Sequence, residues 1–211
     1  VEEILEQAEK KIFDISQEKS SEDFKSINSV LMDTYDMIEK LYTNKEEITG
    51  ITTGFDDLNK KINGLQRTDL ILVAARPAMG KTAFSLNLVQ NAALKGNASV
   101  AVFSLEMSKE QLVQRMLSAQ SNVELKKIKT GNLDENDWPR IIDAMSVLSN
   151  ANIYIDDTPG IKMSELRSKC RKLKIEKGLD FVLIDYLQLM EGEGNNENRQ
   201  QEISKISRSL K

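Results

Sequence analysis

Apolar positions along the chain change their spacing near residue 50, and the change divides it. In the opening stretch VEEILEQAEKKIFDIS, Val1, Leu5, Ala8 and Ile12 recur at helical spacing on an otherwise charged rod. A second helix is predicted over about residues 22–42. Its stripe is Phe24, Ile27, Leu31, Tyr35, Ile38 and Leu41, with Ser20 and Asp23 placed as N-cap and N3 partner. SQEKSSED between the two reads as a solvated hinge. Beyond it, short apolar runs of strand length alternate with helical segments. Residues 69–74, SVAVFSLE, NIYID and FVLIDYLQLM are the predicted strands. The predicted helices are KTAFSLNLVQNAALKG, with Phe84, Leu88 and Ala92 on one face and Gly96 as its stop; SKEQLVQRMLSA, with Ser108 and Gln111 in capping-box positions; NLDENDWPRIIDAMSVLSN, acidic at its start and with Pro139 in its first turn; and MSELRSKCRKLKIEKG, with Met163, Leu166, Cys170 and Leu173 on one face.

Strands that are apolar on both faces and alternate with helices make a parallel sheet covered by helices on each side, an α/β fold. Right-handed crossovers then bring the C-terminal ends of the strands to one edge, where ligands bind. Three chemical groups fall at such ends: the loop of residues 75–82, Glu106 and Asp185.

Composition narrows the chemistry. The 211 residues suffice for one α/β domain plus an appendage, and a net charge of −4 gives no global sign of nucleic-acid binding. No histidine is present, which removes imidazole-dependent triads and most catalytic zinc sites. A single cysteine, Cys170, forms no internal disulfide, and no apolar run is long enough to span a membrane; both suit a cytoplasmic location.

AARPAMGKTAFS carries the Gly-Lys-Thr of a phosphate-binding loop between a predicted strand and a helix, the setting in which that tripeptide works. Backbone N–H groups of Ala75, Arg76, Pro77's neighbours Ala78 and Met79, and Gly80 wrap phosphate oxygens at a helix N-terminus; Pro77 itself has no N–H and contributes only a fixed φ that preforms the loop. Gly80 admits close approach, Lys81 reaches the β- and γ-phosphates, and the Thr82 hydroxyl ligates Mg²⁺, so ATP with Mg²⁺ is the expected ligand. Ala75 stands where the usual pattern has its first glycine, a position that needs no positive φ. Asp185 ends the run FVLI, and a carboxylate there is explained by a magnesium-bound water. Glu106 can take a proton from water attacking the γ-phosphate, or simply flank the helix that Ser108 caps; spacing leaves both open. Gln188 either relays the nucleotide state or satisfies backbone groups at the strand end. The segment 162–177 holds seven Lys or Arg against two Glu, mostly a solvated face beside an intact apolar stripe. EGEGNNENRQQ, glycine- and asparagine-rich, reads as a mobile loop at the ligand edge, with Arg199 starting the next helix as a possible flank of a DNA-contacting loop.

TGFDDLNKKINGLQRTDLILVAARPAMGKTAFSLNLV, VFSLEMS, IDDTPG, LIDYLQLM and NRQQEISKISRSLK, in that order, closely resemble the bacterial replicative DNA helicase of the DnaB type. The resemblance implies a RecA-like P-loop NTPase core over residues 50–211, preceded by a helical linker segment over residues 1–49. It implies that Ala75 is a usual variant, that Glu106 activates the attacking water and that Asp185 serves magnesium. It also implies a homo-hexamer around single-stranded DNA, with the stripe Val1, Leu5, Ala8, Ile12 docked on a neighbour, and a helicase loader and primase as partners. Against that pattern the N-terminal domain is absent and the chain stops at Lys211 inside a helix. The expectation is therefore that these 211 residues alone bind ATP–Mg but hydrolyse it feebly. A RecA-type recombinase and a non-catalytic segment that binds a loader or primase are the alternatives.

Overall fold

The computed structural model describes residues 26–44, 48–191 and 199–211. The stripe Val1, Leu5, Ala8, Ile12 and the expected Ser20 cap lie outside the described residues. The chain divides into two compact units, residues 1–46 and 47–211. In the first, helix α1 runs Ile27–Asn44. Ser26 supplies its cap, its hydroxyl oxygen accepting from the Ser29 N–H at 3.4 Å. The predicted stripe is real but uncovered within the unit: Ile27, Leu31, Tyr35 and Ile38 are all exposed.

The second unit contains helices α2 (Asp56–Ile62), α3 (Lys81–Leu94), α4 (Lys109–Ser121), α5 (Leu125–Thr130), α6 (Asp137–Ser149), α7 (Met163–Lys177) and α8 (Arg199–Leu210). Its strands are β1 (Val100–Ser104), β2 (Ile153–Asp156) and β3 (Phe181–Asp185). They form a three-stranded parallel sheet in the order β2-β1-β3. Every residue of β1 is buried, as the central position demands. Its alternation splits the core in two. Val100 and Val102 pack with Leu86, Val89 and Ala92 of α3 and Leu112 and Met116 of α4. Ala101 and Phe103 pack on the other face with Met163 and Leu166 of α7, Met190 and Ile206 of α8. One predicted strand is corrected. Residues 69–74 join no ladder, and Leu70, Ile71, Leu72 and Val73 are exposed, Leu72 by 69%. A run that is apolar on both faces states a need for cover on both sides, but a strand exists only where a neighbour accepts its hydrogen bonds, and no described strand lies beside it. The predicted strand FVLIDYLQLM also ends sooner, at Asp185, where a 3₁₀ turn, Leu187–Leu189, takes over.

Short helices that periodicity cannot register are held by polar contacts. Asp137, buried at the start of α6, accepts from Lys127 Nζ at 2.9 Å and from the Asp134 N–H at 3.1 Å, and Lys127 also pairs with Asp134. The Lys127 hydrogen bond is the main cause that lowers the Asp137 carboxyl below its ordinary range, and the two aspartates raise Lys127 in return. A depressed folded-state carboxyl contributes stability above its unfolded pKa and loses it as pH falls through the folded value; the raised lysine contributes below its unfolded pKa and fades only in strong alkali. Asp137→Ala, which strands the Lys127 and Asp134 donors, is expected to lower the thermal midpoint at pH 7 by about 2–4 °C. The same comparison at pH 3 should show the difference narrowed, measured by circular dichroism melts at both values.

Candidate active site

The phosphate loop enters α3 through two left-handed residues, Ala78 at φ +63° and Gly80 at φ +85°. A Cβ on Gly80 would meet no protein atom within 4 Å, so glycine is required there by conformation. Alternating right- and left-handed residues turn successive N–H groups toward one point, which is how a backbone makes an anion cradle. Ala75 does not take a positive φ, in keeping with the place it occupies at the start of the turn. Met79 N–H bonds to the Arg76 carbonyl at 3.2 Å and closes the loop. The loop residues are exposed.

The flank of α3 is set by the turn Thr53-Gly54-Phe55. Asn91 donates to the Thr53 carbonyl at 3.0 Å, and Gly54, at φ +75°, lies where a Cβ would come within 2.2 Å of the Asn91 side chain. Phe55 stacks on Phe84 with centroids 5.5 Å apart.

At the first turn of α3 the predicted residues converge. Thr82 Oγ1 donates to Asp185 Oδ2 at 2.7 Å, and Lys81 Nζ lies 2.9 Å from Asp185 Oδ1. Asp185 is buried at the tip of β3, so both of its oxygens are engaged by the phosphate loop's own side chains. Sequence reasoning missed Tyr186: Lys81 Nζ sits 4.2 Å from its ring centroid, a cation over an aromatic face. Its signal was an aromatic directly after the strand-end carboxylate.

Glu106 is exposed on the turn that follows β1. That turn is fastened to β3, because the Leu105 N–H bonds to the Asp185 carbonyl at 2.8 Å. Ser104 pins it internally, donating from its hydroxyl to the Met107 carbonyl at 2.6 Å. The expected cap follows, with the Gln111 N–H on Ser108 Oγ at 3.4 Å. Gln188 lies in the 3₁₀ turn with an exposed side chain. Arg199 is the first residue of α8; residues 192–198 before it lie outside the described residues. On α7, Lys169 is paired with Asp156 at 2.7 Å and Glu165 at 2.9 Å, and Lys174 donates to the Leu179 carbonyl at 2.5 Å, so part of the basic face is engaged inside the fold.

The donor set fits a magnesium nucleotide. Magnesium takes hard oxygen ligands, one or two from protein and the rest from water and phosphate, and here one hydroxyl and one carboxylate oxygen stand 2.7 Å apart beside a loop of amides. Among the described residues no group of three or more His, Cys, Asp or Glu could hold a metal by itself, which matches a cation brought in on phosphate.

A parallel sheet with a phosphate loop at one strand end and an aspartate at the tip of another defines a RecA-like P-loop ATPase core. A solved helicase-type ATPase domain has this fold: it superposes at a TM-score of 0.82 with 36% identity, covering 89% of this chain and 66% of that one. The structure described as a DnaB-like replicative helicase and its interactions with primase superposes at 0.77 with 34% identity, over 94% of this chain and 48% of that one. Residues 50–211 match the DnaB-like helicase C-terminal domain, and the chain belongs to that family. It is 56% identical over 212 residues to the replicative DNA helicase DnaC of Bacillus subtilis and 56% over 209 residues to the replicative DNA helicase DnaB of Geobacillus stearothermophilus. These alignments take in 100% and 99% of this chain, which spans about half the length of the relatives, 47% and 46%. No helix among the described residues is long and apolar enough to cross a membrane.

Proposed function

We propose that this chain is the ATP-driven motor segment of a replicative DNA helicase, residues 50–211 forming the ATPase core and residues 1–49 a helical linker. The observation that carries it is the joining of Lys81, Thr82 and Asp185 at the tip of β3, with the Glu106 turn bonded to the same residue's carbonyl. In this reading the loop amides and Lys81 bind the triphosphate, Thr82 and Asp185 hold Mg²⁺ directly and through water, and Glu106 takes the proton of the attacking water. Bound Mg²⁺ supplies charge neutralisation between the phosphates. Phosphoryl transfer asks for position and charge stabilisation more than for a strong base, which suits an exposed glutamate on a fastened turn. Gln188, on the turn after Asp185, reports the nucleotide state toward the loop that ends at Arg199.

The whole protein, in the same reading, is a ring of six on single-stranded DNA that works with a primase and a loader. Two exposed apolar faces favour assembly. One is the stripe Ile27, Leu31, Tyr35, Ile38 on α1; the other is Trp138, Ile142 and Met145, one face of α6 beside its buried residues Ile141 and Ala144. Linker helices of one copy dock on the second face of the next. The test is a fork-unwinding assay with the full-length protein and ATP, run beside mass photometry. Wild type should unwind as a ring. Ile142→Glu, which places a charge in the contact, should weaken assembly by on the order of 30-fold or more and unwinding with it. Full unwinding by a protein that never leaves the monomer would refute the reading.

A further inference from the structure

The segment IDDTPG has no part in the chemistry described so far, yet it lies against the element that bears Glu106. In the sheet, Phe103 of β1 is paired with Asp156 of β2, and Ser104 with Asp185 of β3, so the three strand tips stand side by side. The turn of residues 105–108 leaves the middle tip. Its near end is held by Leu105 on Asp185 and by Ser104 on Met107. Its far end becomes the N-terminus of α4, and there the Asp157 carboxylate reaches across from the β2 side. Asp157 Oδ2 accepts from the Lys109 N–H at 3.1 Å, and its Oδ1 lies 3.6 Å from Lys109 Nζ.

Asp157 is itself held by a well-anchored loop. Asp156 accepts from the Thr158 N–H at 3.0 Å and from Lys169 Nζ at 2.7 Å, and Lys169 also donates to Thr158 Oγ1 at 3.0 Å. Further along, the Ile161 carbonyl accepts from the Glu191 N–H at 3.3 Å, just past the turn that follows β3. The backbone donor of Lys109 is the largest cause that lowers the Asp157 carboxyl below its ordinary range, so the grip is charged at neutral pH. A negative charge at a helix N-terminus, made from a different element, fixes where that helix begins in space.

We propose that Asp157 is a positioning residue for Glu106: by gripping the first turn of α4 it sets the far end of the turn that carries the water-activating carboxylate. The inference rests on the reading of Glu106 given above. Ser108 already caps α4, so stability does not require a second acceptor; what Asp157 adds is a fixed relation between the tips of β2 and β1. A misplacement of about 1 Å in a reacting group can cost up to about a hundredfold in rate while leaving substrate binding intact.

The experiment uses the full-length protein with Asp157→Ala, Asp157→Asn, Asp157→Glu, Glu106→Gln and the Glu106→Gln, Asp157→Ala double variant. ATP turnover on single-stranded DNA gives kcat and KM, and a fluorescent ATP analogue gives affinity. Asp157→Ala should lower kcat about tenfold with KM and affinity within about twofold of wild type. Asp157→Asn, whose amide oxygen still accepts from Lys109 N–H, should restore most of the rate. In the Glu106→Gln background Asp157→Ala should have no further effect. If the alanine variant does not fold, Asp157→Glu carries the test: the charge is kept, the carboxylate is displaced by one carbon, and kcat alone should fall. Wild-type kcat in Asp157→Ala beside an inactive Glu106→Gln overturns the proposal alone, as does a rise in KM in place of the kcat loss, or an undiminished effect in the double variant. Wild-type turnover in Glu106→Gln removes the assignment of Glu106 and the proposal together.

Discussion

Lys81→Ala is expected to weaken ATP binding on the order of 10²–10³-fold and to end measurable turnover, the largest effect any single substitution in the chain should have. Lys81 is already in place. Its ammonium lies 2.9 Å from Asp185 Oδ1 and 4.2 Å from the Tyr186 ring, and its side chain is only 28% exposed. A charge held this close needs little reordering to reach a phosphate, so its removal deletes a preorganised interaction; truncating one member of such a charged pair costs about 2–5 kcal/mol. The variant also leaves buried Asp185 with the Thr82 hydroxyl as its remaining phosphate-loop partner, so the nucleotide-free protein should melt earlier than wild type. Titration calorimetry with ATP–Mg measures the first effect and a melt the second. ATP affinity within about threefold of wild type would remove the phosphate loop from the mechanism.

Glu106→Gln should separate binding from chemistry. The amide keeps the size of the side chain and cannot take up the proton of the attacking water, so turnover should fall about 10²–10⁴-fold, the usual worth of a general base. Glu106 touches neither Thr82 nor Asp185 in the contacts that hold the phosphate loop, and the turn it sits on is fastened through backbone and Ser104. Affinity for ATP should therefore stay within about threefold. Single-turnover measurements with saturating protein give the chemical step directly. A variant that turns over at the wild-type rate would return Glu106 to the plainer role of an acidic flank for α4.

Much of the site was legible because its parts are local. Gly80 and Thr82 are consecutive with Lys81, and one loop geometry serves them. Asp185 declared itself as a carboxylate ending an apolar run, since a buried charge needs a partner or an ion. Ser108 was readable as a cap from its place before an apolar periodic stretch. The long helices followed from stripes of Leu88 and Ala92 or of Met163 and Leu166, which are buried as their spacing predicts. α2 and α5 escaped notice because seven and six residues are too few to show a period.

What pattern could not reach depends on partners distant along the chain. Residues 69–74 have the apolar texture of a central strand and stand exposed outside any ladder, because texture records a demand for burial while a ladder needs a second strand. The aromatic face of Tyr186 became a neighbour of Lys81, and the carboxylate of Asp157 a clamp on α4, only when three strand tips were set side by side. The sequence by itself determined which residues must hide and which backbone stretch can cradle phosphate, since both follow from side-chain chemistry and short-range geometry. The tertiary structure alone decided the order β2-β1-β3, and with it that Asp185 meets Thr82 across 103 positions of chain, because hydrogen bonding between strands is a relation that no single segment contains.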